Sequence, residues 1–457
     1  MTNQTHEEIF GTDGIRGRAL EGWLSPKAVE ALGRAAGTVL GNACAGKRAL
    51  IAHDGRASAE ELGAALARGF AHAGLAPESA GLLPTPGLAW LSAQEGFALG
   101  AMISASHNPA HDNGIKLFAG SGLKLTDAQQ HAIEEQLRRE VEAEGLGESQ
   151  GPAPKPVAAH EDAYAEHLVA LAESGDPLNL TGLHVVVDCA NGAASRVGPR
   201  VLESLGAKVE TLFGSPNGQN INEGCGSTSP ETLQARVVEC GADLGIALDG
   251  DADRCLMVDE KGILVDGDAI MTILARDAAS RGVWEDNRIV ATVMSNRGLH
   301  RALAPMGIGV VEVGVGDRQV VEGLRQEGLS LGGEKSGHVI FGAESGFIGD
   351  GMLTALHVLG VRARSGALLS ELHAPFVPFP QVLLGLQVPS KPPLETLAAF
   401  QELRSQFEAE LGDDGRVNVR YSGTEPKARV MVEGPDEARI GEMADALVQA
   451  LQDAITG

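Results

Sequence analysis

A chain of 457 residues with 60 glycines, 43% hydrophobic residues and a net charge of −25 is too long for one core and too apolar for disorder, so three or four globular α/β domains are expected. The acidic balance argues against nucleic acid or an anionic membrane as partner, and any anionic substrate must then be met by a local cluster of arginines. No run of 18 apolar residues occurs, no basic-then-apolar leader opens the chain, and the five scattered cysteines (Cys44, Cys189, Cys225, Cys240, Cys255) form no CxxC pair, which together read as a reduced, cytoplasmic protein.

In chain order, Gly11-Thr-Asp-Gly-Ile-Arg-Gly17 reads as a glycine-rich loop that lets backbone approach a ligand, with Arg16 as a fork for phosphate. Ser25-Pro26 is an N-cap and first turn, starting a helix that runs to about Leu40. Gly41-x4-Gly46-Lys47 imitates a nucleotide P-loop, but Arg48 stands where Ser or Thr must bind magnesium and a strand follows, so that reading is rejected. Strands at 49–53 and 79–83 alternate with an alanine-rich helix at 58–73, and Pro84-Thr-Pro86 breaks the chain ahead of another helix. Strands alternating with helices predict mainly parallel sheets covered on both faces.

Ile103-Ser-Ala-Ser-His-Asn-Pro109, running on to Lys116, follows an apolar run from Leu99 and precedes Leu117-Phe118. The pattern is strand, exposed loop, strand, and it presents two hydroxyls, a histidine and a lysine between buried ends. An ordinary Ser/Asn/Pro turn is the competing reading. The three prolines of 147–156 mark a linker. Beyond it come a helix near 161–172, a buried strand at 183–189 and a strand at 242–248 that ends in Asp249-Gly-Asp-Ala-Asp-Arg254. Asp249, Asp251 and Asp253 recur at period two, which in an extended loop turns three carboxylates toward one hard cation. A calcium EF-hand is excluded by Arg254 at the sixth position and by the missing preceding helix; a solvated acidic turn is the other alternative. Three protein oxygens leave octahedral magnesium short of an anionic ligand, and a phosphoserine would supply it.

A third unit repeats the style, with strands at 288–294 and 310–313 and a loop Gly333-Glu-Lys-Ser-Gly-His338, in which Glu334 and Ser336 offer acceptors at alternate positions, an arrangement able to grip two neighbouring hydroxyls. Pro375-Phe-Val-Pro-Phe-Pro380 is the last linker. A smaller α+β domain follows, holding Arg420-Tyr-Ser-Gly-Thr-Glu-Pro426, a strand at 428–432 and a helix at 436–455. Arg420, Ser422, Thr424 and the amides around Gly423 compose an anion nest, with a plain hairpin turn as the alternative. The expected domains are 1–155, 156–255, 256–374 and 375–457.

Taken together, the Ser106, Asp249, Glu334 and Arg420 loops, in that order, resemble the active-site loops of the α-D-phosphohexomutase family. The resemblance implies three related α/β domains and a distinct fourth around a central cleft, one Mg2+ per subunit and a bisphosphorylated sugar as intermediate and activator. It places the phosphoserine directly before His-Asn-Pro, at Ser106 rather than Ser104, with Ser106 joining the three aspartates around the metal. It implies that Lys116 handles a proton at the sugar hydroxyl, flanked by His107, that Arg254 steadies the transferring phosphoryl group, and that His338 assists as acid or base. Lys335 and Ile348 depart from the family's usual residues. Asn220-Ile-Asn222, Cys225-Gly-Ser-Thr, Val315-Gly-Asp-Arg318 and Ser104-Ala-Ser106 point within the family to amino-sugar phosphates rather than mannose phosphate. The implied partner is a small phosphosugar, and a homodimer is compatible with these features. The first alternative is a mutase of the same family acting on glucose or mannose phosphates, and a magnesium-dependent sugar phosphatase and a non-catalytic sugar-phosphate-binding protein are the others.

Overall fold

A computed structural model describes residues 8–11, 13–41, 47–144, 154–284, 286–422 and 426–456. Most of the rejected P-loop imitation, most of the 147–156 linker, Gly423 and Thr424 lie outside the described residues.

Three mixed sheets follow one another along the chain. The first contains β1 (Ile15–Arg18), β2 (Arg48–His53), β3 (Ala76–Leu82), β4 (Leu99–Ile103) and β5 (Asp112–Ala119), in the order β1-β5-β4-β2-β3. The second contains β6 (His184–Asp188), β7 (Lys208–Leu212), β8 (Leu244–Leu248), β9 (Cys255–Asp259) and β10 (Leu264–Val265), ordered β10-β9-β8-β6-β7. The third contains β11 (Arg288–Thr292), β12 (Gly309–Val313), β13 (Gly332–Gly333) and β14 (Val339–Ile340), ordered β12-β11-β13-β14. The same plan recurs in all three. A central strand (β2, β6, β11) pairs in parallel with the two that follow it, and the second of these turns back into an antiparallel partner. Duplication is therefore visible in topology, although the sequence shows no strict period.

That antiparallel return positions the site. The turn between β4 and β5 carries Ser106, the turn between β8 and β9 carries the three aspartates, and the turn between β13 and β14 carries Glu334 to His338. Strands β8 and β9 are buried along their whole length, so the polar residues between them have only the loop in which to meet solvent or ligand. The second sheet continues through Val265, past the expected division at 255/256, because the strand returning from the aspartate loop must pair with the strand that entered it.

The fourth sheet, β15 (Gln381–Gln387), β16 (Arg416–Tyr421) and β17 (Lys427–Glu433), is antiparallel, ordered β15-β17-β16, and covered by helices Ala398–Leu411 and Glu437–Thr456. The first of these helices was not anticipated. One apolar core runs without a break from Leu50, Met102 and Phe118 through Tyr164, Val187 and Ile246 to Ile289 and Leu356, locking the three α/β units together. The last unit has its own core around Phe400, Val430 and Met443. It meets the third unit through polar groups: Arg416 pairs with Glu312, the buried Glu433 accepts from the Arg297 amide, and Lys335 Nζ donates to Gln381 Oε1 at 3.2 Å. Lys335 thus has a place at this junction, and Ile348 lies in the apolar core.

Candidate active site

Ser106 is held in the left-handed region, φ 52°, and is 1% exposed. Its amide donates to Ser104 Oγ at 2.8 Å, and Ser104 Oγ donates to Asp54 Oδ2 at 2.6 Å. Ser104 is therefore a structural hydroxyl, fully buried and already committed. Ser106 Oγ instead points across to the second unit and donates to Asp249 Oδ2 at 2.6 Å. The approach needs Gly250, whose added Cβ would lie 2.5 Å from Ser106 O.

Asp249, Asp251 and Asp253 are buried, with a carboxylate oxygen of each lying within 4.8 Å of the others. Asp251 Oδ2 accepts from Thr85 Oγ1 at 2.5 Å and from Lys116 Nζ at 2.7 Å, and Asp253 Oδ2 lies 3.2 Å from the same nitrogen. Asp251 Oδ1 and Asp253 Oδ1 are buried without a hydrogen-bond partner. Buried carboxylate oxygens without donors are costly, and a hard divalent cation satisfies them. The donor set, all oxygen and held rigidly at a hairpin turn, fits a magnesium ion. Burial first, then the neighbouring Asp253 and Asp251, push the Asp249 carboxyl up to about 7.

Four groups surround these carboxylates. Lys116 is 3% exposed and also pairs with Asp13 Oδ2 at 3.0 Å. Burial opposes its charge, but Asp13, Asp251 and Asp253 together outweigh burial and hold it well above the usual lysine range. It is an ammonium with no lone pair to accept a proton. His338 lies 3.7 Å from Asp253 Oδ1 and 3.8 Å from Asp317 Oδ2. Burial works against its protonation, and the two carboxylates more than offset it, raising its pKa. Its ring fills the space where Gly349 lacks a side chain, an added Cβ there meeting Nε2 at 2.3 Å. His107 Nδ1 stands 3.3 Å from Ser106 Oγ, and burial, then Arg254 and Arg16, lower its pKa to about 4, so it is neutral at pH 7. Arg254 donates its amide to Asp249 Oδ1 at 3.2 Å, and its Nε is buried without a hydrogen-bond partner.

Arg16 lies on edge strand β1, paired opposite Gly114 of β5, and its guanidinium bonds Asp13. The expected loop here is short because Ile15–Arg18 completes the first sheet. Asp13, inside the glycine motif but not singled out by its spacing, also binds Lys124, which reaches Asp317 of the third unit. Asp317 belongs to the Val315–Arg318 motif, whereas nothing in the local sequence marks Lys124.

The remaining residues stand further out. Glu334 Oε1 accepts from the Gly316 amide at 3.1 Å, and Ser336 is half-buried on the same turn. In the fourth unit Arg420 stands opposite Arg429 in the β16–β17 pair, and burial, then Arg429, lower its pKa. Two guanidiniums held across a strand pair repel unless an anion lies between them. Ser422 is buried, and its carbonyl accepts from Lys391 Nζ at 2.6 Å.

Models of the phosphoglucomutase/phosphomannomutase family match the chain in four pieces: alpha/beta/alpha domain I over 7–144, domain II over 162–262, domain III over 266–378 and the C-terminal domain over 383–450. A phosphoglucosamine mutase of Koribacter versatilis is 44% identical over 453 residues, 98% of this chain and 97% of that one. Another, of Rhodococcus jostii, is 47% identical over 446 residues, covering 96% of this chain and 98% of its own. A crystal structure of a phosphoglucomutase/phosphomannomutase family protein from Burkholderia thailandensis superposes with a TM-score of 0.80 at 27% identity, covering 98% of each chain. Four matched domains in order, near-full-length relatives and a shared fold lead to one conclusion: the chain belongs to the phosphoglucomutase/phosphomannomutase family.

Proposed function

We propose that the protein interconverts glucosamine 6-phosphate and glucosamine 1-phosphate, with Ser106 as the phosphoryl carrier and glucosamine 1,6-bisphosphate as the intermediate. The observation that carries this reading is Ser106 Oγ, 2.6 Å from Asp249 at the edge of three buried carboxylates with two unsatisfied oxygens. Asp249, Asp251 and Asp253, with the phosphate on Ser106, would hold one magnesium ion. When bound, the ion supplies charge neutralisation to the transferring group.

The rest falls to the chain's own side chains. In transfer, the bond between phosphorus and Ser106 Oγ breaks as a bond to the sugar's free O1 or O6 forms. Lys116, paired with Asp251 and Asp253, and Arg254, at the end of the aspartate loop, would offset charge on the equatorial oxygens. Lys116, as an ammonium, can donate a proton to Ser106 Oγ as that oxygen departs and recover one from the attacking sugar hydroxyl, so that protons balance over each transfer. It becomes a base only when one of its three carboxylates is drawn away. The Glu334 loop offers acceptors to sugar hydroxyls, and the Arg420 loop, with Ser422, Gly423 and Thr424, takes the phosphate that is not being transferred. Arg16, whose guanidinium bonds Asp13, is the first unit's candidate for a phosphate contact.

Reorientation of the bisphosphate requires that its ends exchange places without loss to solvent. The independent core of the last unit and its polar junction with the third suit a unit that swings while the three α/β units stay fixed. Replacing Arg420 by Ala removes a charge-assisted pair worth roughly 2 to 3 kcal/mol, so affinity for the sugar phosphate should fall about a hundredfold. Isothermal titration checks this; a loss confined to turnover would contradict the role.

The amino sugar is supported by the relatives named above. Glu334 and Ser336 address hydroxyls shared with glucose and do not discriminate at carbon 2. Side-by-side kinetics, each sugar given its own bisphosphate, should show kcat/KM for glucosamine 6-phosphate at least about tenfold above glucose or mannose 6-phosphate. Equal or reversed preference overturns the substrate and leaves the mechanism. Release of free phosphate in place of isomer would instead mark a phosphatase.

A further inference from the structure

The loop that carries Ser106 is gripped from both sides by residues that the proposed chemistry does not use. Arg56 is 2% exposed and spends all five of its N–H groups on this region. Nε donates to Asp54 Oδ2 at 2.9 Å, Nη2 to Ser106 O at 3.0 Å and to Asn108 O at 2.9 Å, and Nη1 to Asp112 O at 2.9 Å and to Pro109 O. From the second unit, Asn222 Nδ2 donates to the same two carbonyls, Ser106 O at 2.9 Å and Asn108 O at 3.1 Å. A carbonyl accepts two hydrogen bonds, so both lone pairs of each are filled, one from each unit.

We infer that Arg56 and Asn222 form a clamp across the two units that sets the angle at which Ser106 Oγ is presented to Asp249, making both positioning residues for phosphoryl transfer. Ser106 sits at φ 52°, a conformation that L residues adopt only when their surroundings impose it. The clamp supplies that constraint at the carbonyl, while Ser104 Oγ supplies it at the amide. Asn222 is itself left-handed, φ 57°, with its amide on Ala190 O at 3.0 Å, so its carboxamide arrives on a braced turn. Because one carboxamide ties the nucleophile's loop to the unit that carries the aspartates, rotation of either unit moves Ser106 Oγ with Asp249 rather than away from it. Displacements of an ångström at the reacting atom suffice to cost large factors in rate, whereas substrate binding is made elsewhere, at the Glu334 and Arg420 loops.

The inference rests on Ser106 as the phosphoryl carrier. Its test is Asn222→Asp, which keeps the shape and the left-handed tolerance, removes both N–H donors and sets a carboxylate against two carbonyls. The expected result is a kcat lower by about ten- to a hundredfold with KM for glucosamine 6-phosphate within about threefold of the parent. Arg56→Lys keeps the charge beside Asp54 with three donors in place of five, and should again lower kcat with KM held. Should Arg56→Lys fail to fold, Asn222→Asp alone decides. A kcat for Asn222→Asp within about twofold of the parent, or a loss carried by KM, overturns the inference. Phosphopeptide mapping of the parent separates the two levels. Phosphate on Ser106 with an unaffected Asn222→Asp variant defeats only the clamp, whereas its absence from Ser106 defeats the phosphoserine reading and the clamp with it.

Discussion

Ser106→Ala is expected to lower mutase turnover by several orders of magnitude while leaving the fold intact. The covalent route divides one transfer into two, and without a carrier oxygen neither half can proceed. The hydrogen bonds that fix the loop run through the Ser106 backbone, so removing Oγ takes away only its contacts to Asp249 and to His107 Nδ1. Phosphopeptide mapping of the active parent should place the phosphate on Ser106. Phosphate found on Ser104 alone would overturn the assignment, and the structure makes that outcome difficult: Ser104 Oγ is fully buried and already bonded at both its donor and acceptor sides.

Single replacement of Asp249, Asp251 or Asp253 by Asn should raise the magnesium requirement and slow turnover without unfolding the protein. The reason is electrostatic. Asp249 is pushed up to about 7, burial and its neighbours making a third buried negative charge unwelcome when no cation is bound. A neutral amide there resembles the protonated acid, so the metal-free fold tolerates it. What is lost is the ligand. Magnesium at a hundredfold excess over its Kd should stabilise the parent by about 2.7 kcal/mol, seen as a higher Tm, and each variant should lose most of that increment. Three variants with the parent's magnesium response would place the cation elsewhere.

The loops and their order along the chain were legible because each depends on local spacing. Alternate aspartates behind an apolar strand, serine ahead of His107-Asn108-Pro109, and arginine before Ser422 all declare themselves within a few residues. The helix start at Ser25-Pro26 was equally local, Ser25 Oγ lying 3.4 Å from the Ala28 amide. The edge strand Ile15–Arg18 was hidden, since its pairing partner lies about a hundred residues further on at Asp112–Ile115 and its own four residues show no alternation of burial.

The charge states belong to the tertiary structure alone. By resemblance Lys116 handles a proton at the sugar hydroxyl, and the fold makes it an ammonium, because Asp13, Asp251 and Asp253 reach it from two separate units. The same holds for Lys124, which meets Asp13 and Asp317 across 111 and 193 residues, and for Arg56, four of whose five donors close on carbonyls fifty or more residues away. Sequence spacing determined which loops carry the chemistry, since a motif is a short-range object. Which side chains hold those loops, and in what state of protonation, was decided only when three repeated sheets brought their hairpin turns together, because electrostatic work depends on distance in space and not along the chain.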